Sequence, residues 1–134
     1  MLEASDVIEL FFKHLPVKKI NQGEIIFQTG DKGHAMYALI SGEVELRRND
    51  EVVEVISEHD VFGEGALVQP THDRFTTAVA KIDCEIATLD KEKFLFLVQE
   101  TPLFAIEIIR SLSTRLRKLK NKSKNPYNLM KVHE

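Results

Sequence analysis

Glu64 and Arg74 are the residues whose types and spacing point most directly at chemistry. They lie within FGEGALVQPTHDRFTTA, residues 62–78, where the acid is flanked by Gly63 and Gly65 and the arginine follows ten positions later. Glycines let backbone N–H groups approach an anion closely, and a helical turn starting near Ala66 would aim its positive end at the same point. An arginine arriving from the next strand adds a bidentate, charge-assisted contact to a phosphate. An ionised carboxylate only accepts hydrogen bonds, so Glu64 suits a sugar hydroxyl, which donates. A phosphate beside a ribose would use both. Each residue also has a plainer reading when taken singly: an acid after glycine is commonly a turn, and an arginine at a strand start is commonly solvated.

Other chemistries find less support. His14, His34, His59, His72 and His133 are scattered, with no H-x-H pair on one strand face and no evident carboxylate partner, so surface or turn roles account for them better than a metal centre. No Ser-His-Asp or activated-cysteine arrangement can be argued from the order of residues, and we read the chain as non-enzymatic. The single cysteine, Cys84, excludes an internal disulfide. Its flanks, DCEIATL, alternate as a strand does, which makes it a buried structural thiol.

The elements that must position the acid and the arginine are short strands. VKKIN (17–21), EIIFQ (24–28), MYALIS (36–41), EVELRR (43–48) and EVVEVI (51–56) are separated by glycine turns and by Asn49-Asp50. Two more strands are expected at about 75–81 and 84–89. In EVELRR, Val44 and Leu46 point one way, while Glu43, Glu45 and Arg47 point the other. Ser5 caps an N-terminal helix carrying Ile8, Phe11, Phe12 and Leu15, which Pro16 stops. After the strands the period changes: residues 91–98 form a short helix, and Pro102 opens a longer one to about residue 120. The expected fold is mainly β: a jelly-roll (double-stranded β-helix) barrel with an N-terminal helix and two C-terminal helices. One domain spans residues 1–121, and 122–134 is a polar tail.

With 134 residues, the chain can bury a real core, about two thirds of its unfolded surface. No apolar run approaches the roughly 18 residues of a membrane span, and the start carries acids where a signal peptide has basic residues. A cytoplasmic location without membrane contact is expected. The net charge of −3 conceals a division: residues 1–109 carry −10, and residues 110–124 carry +7 with no acid. A basic helix end suits the helix dipole and a solvated face; a nucleic-acid patch is the competing reading. Within the long helix Ala105, Ile109, Leu112, Leu116 and Leu119 recur at heptad-like intervals. That seam either packs on its own barrel or pairs with a second copy; because it runs past where a small barrel reaches, we expect a homodimer through residues 102–120.

Together, V-F-G-E-x-A-L, the arginine ten positions after the acid and the A-x-A strand resemble the phosphate-binding cassette of cyclic-nucleotide-binding domains. These are the sensor domains of the catabolite activator protein family and of protein kinase A regulatory subunits. QGEIIFQTGDKGHAMYALISGEVEL resembles the family's first strands, so the resemblance covers residues 1 to about 120. It implies that cAMP or cGMP is the ligand, that Glu64 accepts from the ribose 2′-hydroxyl, and that Arg74 pairs with the cyclic phosphate. Gly63, Gly65 and Ala66 would line the same pocket through their backbone, and movement of the C-terminal helix would carry the signal.

The chain departs from the family pattern in two places. The residue after the arginine is small in the family and is Phe75 here. If its ring points into the pocket it occludes the phosphate; if a local twist turns it to the core, Thr76 or Thr77 supplies a hydroxyl instead. Leu119 and Lys120 stand where DNA-binding relatives carry hydroxyls that reach the purine. The residues after the long helix are too few for a three-helix DNA reader, so no DNA binding by this chain alone is expected. The alternative is a degenerate domain that no longer binds nucleotide and serves as a dimerisation or interaction module, with Phe75 as the mark of loss.

Overall fold

The computed structural model describes residues 15–122. Eight strands come first, with one short helix among them: β1 (Val17–Ile20), β2 (Ile25–Phe27), β3 (Ala35–Ser41), β4 (Val44–Arg48), β5 (Glu51–Ile56), β6 (Val61–Phe62), α1 (Glu64–Val68), β7 (Thr77–Ala80) and β8 (Cys84–Asp90). Two helices close the described chain, α2 (Lys91–Glu100) and α3 (Pro102–Lys122). The N-terminal helix and the polar tail expected from sequence lie outside the described residues, apart from Leu15 at one end and Lys122 at the other.

The strands pair antiparallel into two four-stranded sheets, ordered β1-β8-β3-β6 and β2-β7-β4-β5. Every connection between consecutive strands except the β4–β5 hairpin crosses from one sheet to the other, which is the jelly-roll arrangement expected. That hairpin closes through Asn49 and Asp50, both at positive φ (53° and 64°), the backbone that matches the twist of the flanking strands.

The two sheets enclose one core, in which Phe27 and Leu46 from one sheet meet Leu39, Phe62 and Ile86 from the other. Met36, Ala38, Ala87 and Leu89 point to the opposite face of the first sheet, where Leu97, Phe104 and Ile108 of α2 and α3 cover them. With both faces buried, β3 and β8 read as almost continuous apolar runs; β4, with one wet face, alternates. Cys84 is buried, its thiol donating to the carbonyls of Glu43 (3.2 Å) and Ile82 (3.1 Å), and burial raises its pKa. It is the structural thiol expected.

The helices start as their sequences dictate. Asp90 caps α2 by accepting from the Lys93 N–H at 2.8 Å, and α3 begins at Pro102, whose missing N–H costs nothing there. One stripe of α3 is buried, Phe104, Ile108, Ser111 and Arg115. The neighbouring stripe leaves Ile109, Leu116 and Leu119 exposed.

The strand expected at 75–81 begins two residues late. The backbone of Arg74 is held by the loop before β3: its N–H donates to the Asp31 carbonyl (2.8 Å), and its own carbonyl accepts from Gly30 (2.9 Å). The chain therefore joins the β4 ladder only at Thr77.

Candidate functional site

β6 ends at Phe62, and the chain turns through Gly63 at φ 74° into α1. A side chain here would be strained, and its Cβ would lie 2.9 Å from Arg74 Nη1 and 3.1 Å from the Phe27 ring. The turn places Glu64 at the mouth of the sandwich and presents the Gly63 carbonyl inward.

Arg74 reaches that carbonyl from the other side. Only 5% exposed, it donates from Nη1 to the Gly63 carbonyl and from Nη2 to the Ala35 carbonyl, both at 2.8 Å. Its guanidinium lies 4.3 Å above the Phe27 ring centroid and 5.5 Å from that of Tyr37, two cation–π contacts. Gly33 lies against its edge so closely that an added Cβ would be 2.2 Å from Nε. Burial lowers the Arg74 pKa, and the fields of Tyr37, Asp31 and Glu64 oppose that shift. Among the described residues, this buried cation meets carbonyls and aromatic faces but forms no ion pair with a carboxylate.

Gly63, Glu64, Gly65, Ala66, Arg74, Phe75 and Thr76, the residues singled out from sequence, all line one cavity of about 180 Å³. Phe75 does not plug it. The residue is 69% exposed, and its ring carries the Arg48 guanidinium 3.8 Å above its centroid, while Arg48 Nη1 donates to the Phe75 carbonyl at 2.6 Å. Thr76 lines the cavity, whereas Thr77 turns to Thr29, accepting from its N–H at 3.0 Å.

Sequence reasoning missed Arg115 and Glu54, which complete the wall. Arg115 descends from α3 and forms a two-point ion pair with Glu54, Nε to Oε2 at 2.6 Å and Nη2 to Oε1 at 3.1 Å. Its Nη1 donates to the Val61 carbonyl and lies 3.4 Å from Glu64 Oε1, while Glu64 Oε2 accepts from the Gly65 N–H at 3.1 Å. Burial pulls the Arg115 pKa down, but the hydrogen bond to Glu54 and the charges of Glu54, Glu64 and Asp60 outweigh it and leave it raised. One turn earlier Ser111 donates to Asp60 (2.9 Å) and accepts from the Val61 N–H (3.3 Å). α3 is thus clipped to β6 and to the acid of the cavity. From sequence, residues 110–124 read as a solvated basic face; Arg115 departs from that reading. The signal available was its place at the end of the stripe Phe104, Ile108, Ser111, which steps by four and three residues.

A second, more open cavity of about 640 Å³ adjoins the first and shares Gly65, Arg74 and Phe75 with it. Among the described residues no three His, Cys, Asp or Glu side chains gather as metal ligands, and no helix is long and apolar enough to cross a membrane.

This arrangement of elements is shared with proteins already characterised. The cyclic nucleotide-binding domain family profile matches residues 17–101. The chain is 32% identical over 128 residues to the cAMP-activated global transcriptional regulator CRP of Pasteurella multocida, covering 91% of this chain and 59% of that protein. Its structure is similar to that of the Thermus thermophilus catabolite activator protein, with TM-score 0.70 and 29% identity over 86% of this chain and 56% of that one. It also resembles cAMP-bound PfPKA-R (141–441), with TM-score 0.64 and 30% identity over 81% of this chain and 36% of that one. The chain spans somewhat over half the length of the curated CRP relatives it matches, 59% in the Pasteurella case. With the profile covering most of the chain, and with an acid and an arginine meeting in one cavity of a jelly roll, this chain belongs to the cyclic nucleotide-binding domain family.

Proposed function

We propose that residues 1–121 form a non-enzymatic, cytoplasmic sensor domain that binds a 3′,5′-cyclic purine mononucleotide, cAMP or cGMP. The observation that carries this reading is Arg74: a guanidinium 5% exposed, held by two carbonyls and two aromatic faces, with no ion-paired carboxylate among the described residues. A buried charge without a counter-ion is costly, and an anion entering the cavity offsets that cost. A cyclic phosphate at Arg74 leaves the ribose beside Glu64, whose carboxylate accepts from the 2′-hydroxyl. The relatives described as cAMP-activated and cAMP-bound support the same ligand class.

Glu64 also carries the signal. Its Oε1 lies 3.4 Å from Arg115, so a ribose hydroxyl competes with α3 for the same carboxylate. Ligand occupancy then shifts the population of α3 positions, because the two states differ in who holds Glu64. Isothermal titration with cAMP and with cGMP tests the reading: saturable heat with at least one is expected, and silence from both at millimolar concentration removes it.

The exposed stripe of α3 is the surface for a second copy. Ile109 is 60% exposed, Leu116 52% and Leu119 39%, at the heptad-like spacing of a helix pair. Ile109→Glu with Leu116→Glu is expected to convert a dimer to a monomer by light scattering; both side chains are solvent-facing, so the fold survives. A wild-type monomer would refute the pairing.

A further inference from the structure

We infer that Phe75, braced by Arg48, is the platform on which the nucleobase stacks, so that the ligand is chosen for an aromatic base as well as for a cyclic phosphate. This rests on the cyclic-nucleotide reading above. An exposed phenylalanine normally gains nothing from a fixed position in water. Phe75 is 69% exposed yet held twice by one partner: the Arg48 guanidinium lies 3.8 Å above its ring, and Arg48 Nη1 donates to its carbonyl at 2.6 Å. Arg48 is itself fixed, as the last residue of β4 at the tight Asn49-Asp50 hairpin. The ring therefore stands at a set place, with a cation over one face and most of the residue still exposed.

That place is the junction of the two cavities. Phe75 lines both, whereas Arg48 lines only the outer one. The inner cavity, about 180 Å³, falls below the roughly 300 Å³ at which pockets begin to enclose whole small-molecule ligands. It has room for the sugar and the phosphate between Glu64 and Arg74, and the base must project past its mouth. The neighbour of Arg74 in sequence is the ring that waits there. A guanidinium on the far face extends the stack, and base-on-aromatic stacking is tolerant of base identity, which predicts weak discrimination between adenine and guanine.

The test compares cAMP, cGMP and the base-free 1-O-methylribose 3′,5′-cyclic phosphate by isothermal titration. Wild type is expected to bind the nucleotides about ten-fold or more tighter than the base-free compound, the range that such stacking carries. Phe75→Ala is expected to erase that ratio, and Arg48→Gln to reduce it several-fold by releasing the ring. The chain has no tryptophan, so Phe75→Trp supplies a sole indole at this point. Its emission should be quenched by cAMP and cGMP and left unmoved by the base-free compound. Undiminished preference for the nucleotides in Phe75→Ala, or tighter nucleotide binding by it, overturns the platform and leaves the sensor reading standing. Failure of wild type to bind any of the three removes both.

Discussion

Arg74→Ala is expected to weaken cyclic-nucleotide binding by about 1.5–3 kcal/mol or more, at least ten-fold in affinity, because a charge-assisted hydrogen bond to the phosphate is lost. The substitution also strips the carbonyls of Gly63 and Ala35 of their donors, so some loss of stability accompanies it. A companion variant separates positioning from chemistry. Gly33→Ala keeps the guanidinium but drives a Cβ to within 2.2 Å of its Nε, with Cζ and Nη2 close behind. Arg74 must then swing from its place above Phe27, and affinity should fall toward that of Arg74→Ala. Titration of both variants with cAMP and cGMP measures the effect. If neither variant differs from wild type while the fold is intact by circular dichroism, the phosphate is not bound at Arg74.

The second large effect is on stability and communication. Arg115→Leu is expected to cost about 3–5 kcal/mol in urea denaturation, since it leaves two carboxylates, Glu54 and Glu64, partly desolvated without their cation. The pair is largely buried, with side-chain exposure of 11% for Arg115 and 15% for Glu54, so solvent screens it far less than a surface bridge. Adding Glu54→Gln should recover part of the loss, and the double-mutant cycle should show a coupling well above the few tenths of a kcal/mol typical of independent sites. The same variant cuts the link from the cavity to α3. Cyclic nucleotide should change hydrogen exchange at the α3 amides in wild type and leave them unaltered in Arg115→Leu. A stable Arg115→Leu whose α3 still responds would transfer the coupling to another contact.

The cavity and α3 share one wall, since Arg115 lines the same cavity as Glu64 and Arg74. α3 grips the sandwich through two polar side chains, Ser111 on Asp60 and Val61, and Arg115 on Glu54, Val61 and Glu64. Its apolar grip, through Phe104 and Ile108, lies nearer its start. The part of α3 beside the cavity is thus held by polar and charged contacts, and its beginning by packing; under the proposed function, the turns beside the cavity are the ones expected to respond to ligand.

The sequence alone determined whatever depends on near neighbours. The alternation of EVELRR, the Asn49-Asp50 turn and the proline opening α3 are local preferences of the backbone and of one-sided burial. Gly63, Glu64, Gly65 and Arg74 stand out for the same reason, since they lie within one short segment, but the reading of that segment as a phosphate-binding cassette rests on the family resemblance. Tertiary structure alone decided the rest. Phe75 faces outward because Arg48, 27 residues earlier, comes alongside it through the pairing of β4 with β7. Thr76 rather than Thr77 faces the cavity because Thr77 is the first residue of the β7 ladder and bonds to Thr29. Arg115 meets Glu64 and Glu54 across separations of 51 and 61 residues, a meeting fixed by where α3 crosses the sheet. In a basic run its charge says solvent. Its burial follows from a helix whose angle of approach is set by packing, and packing sums contacts from the whole chain that no local window contains.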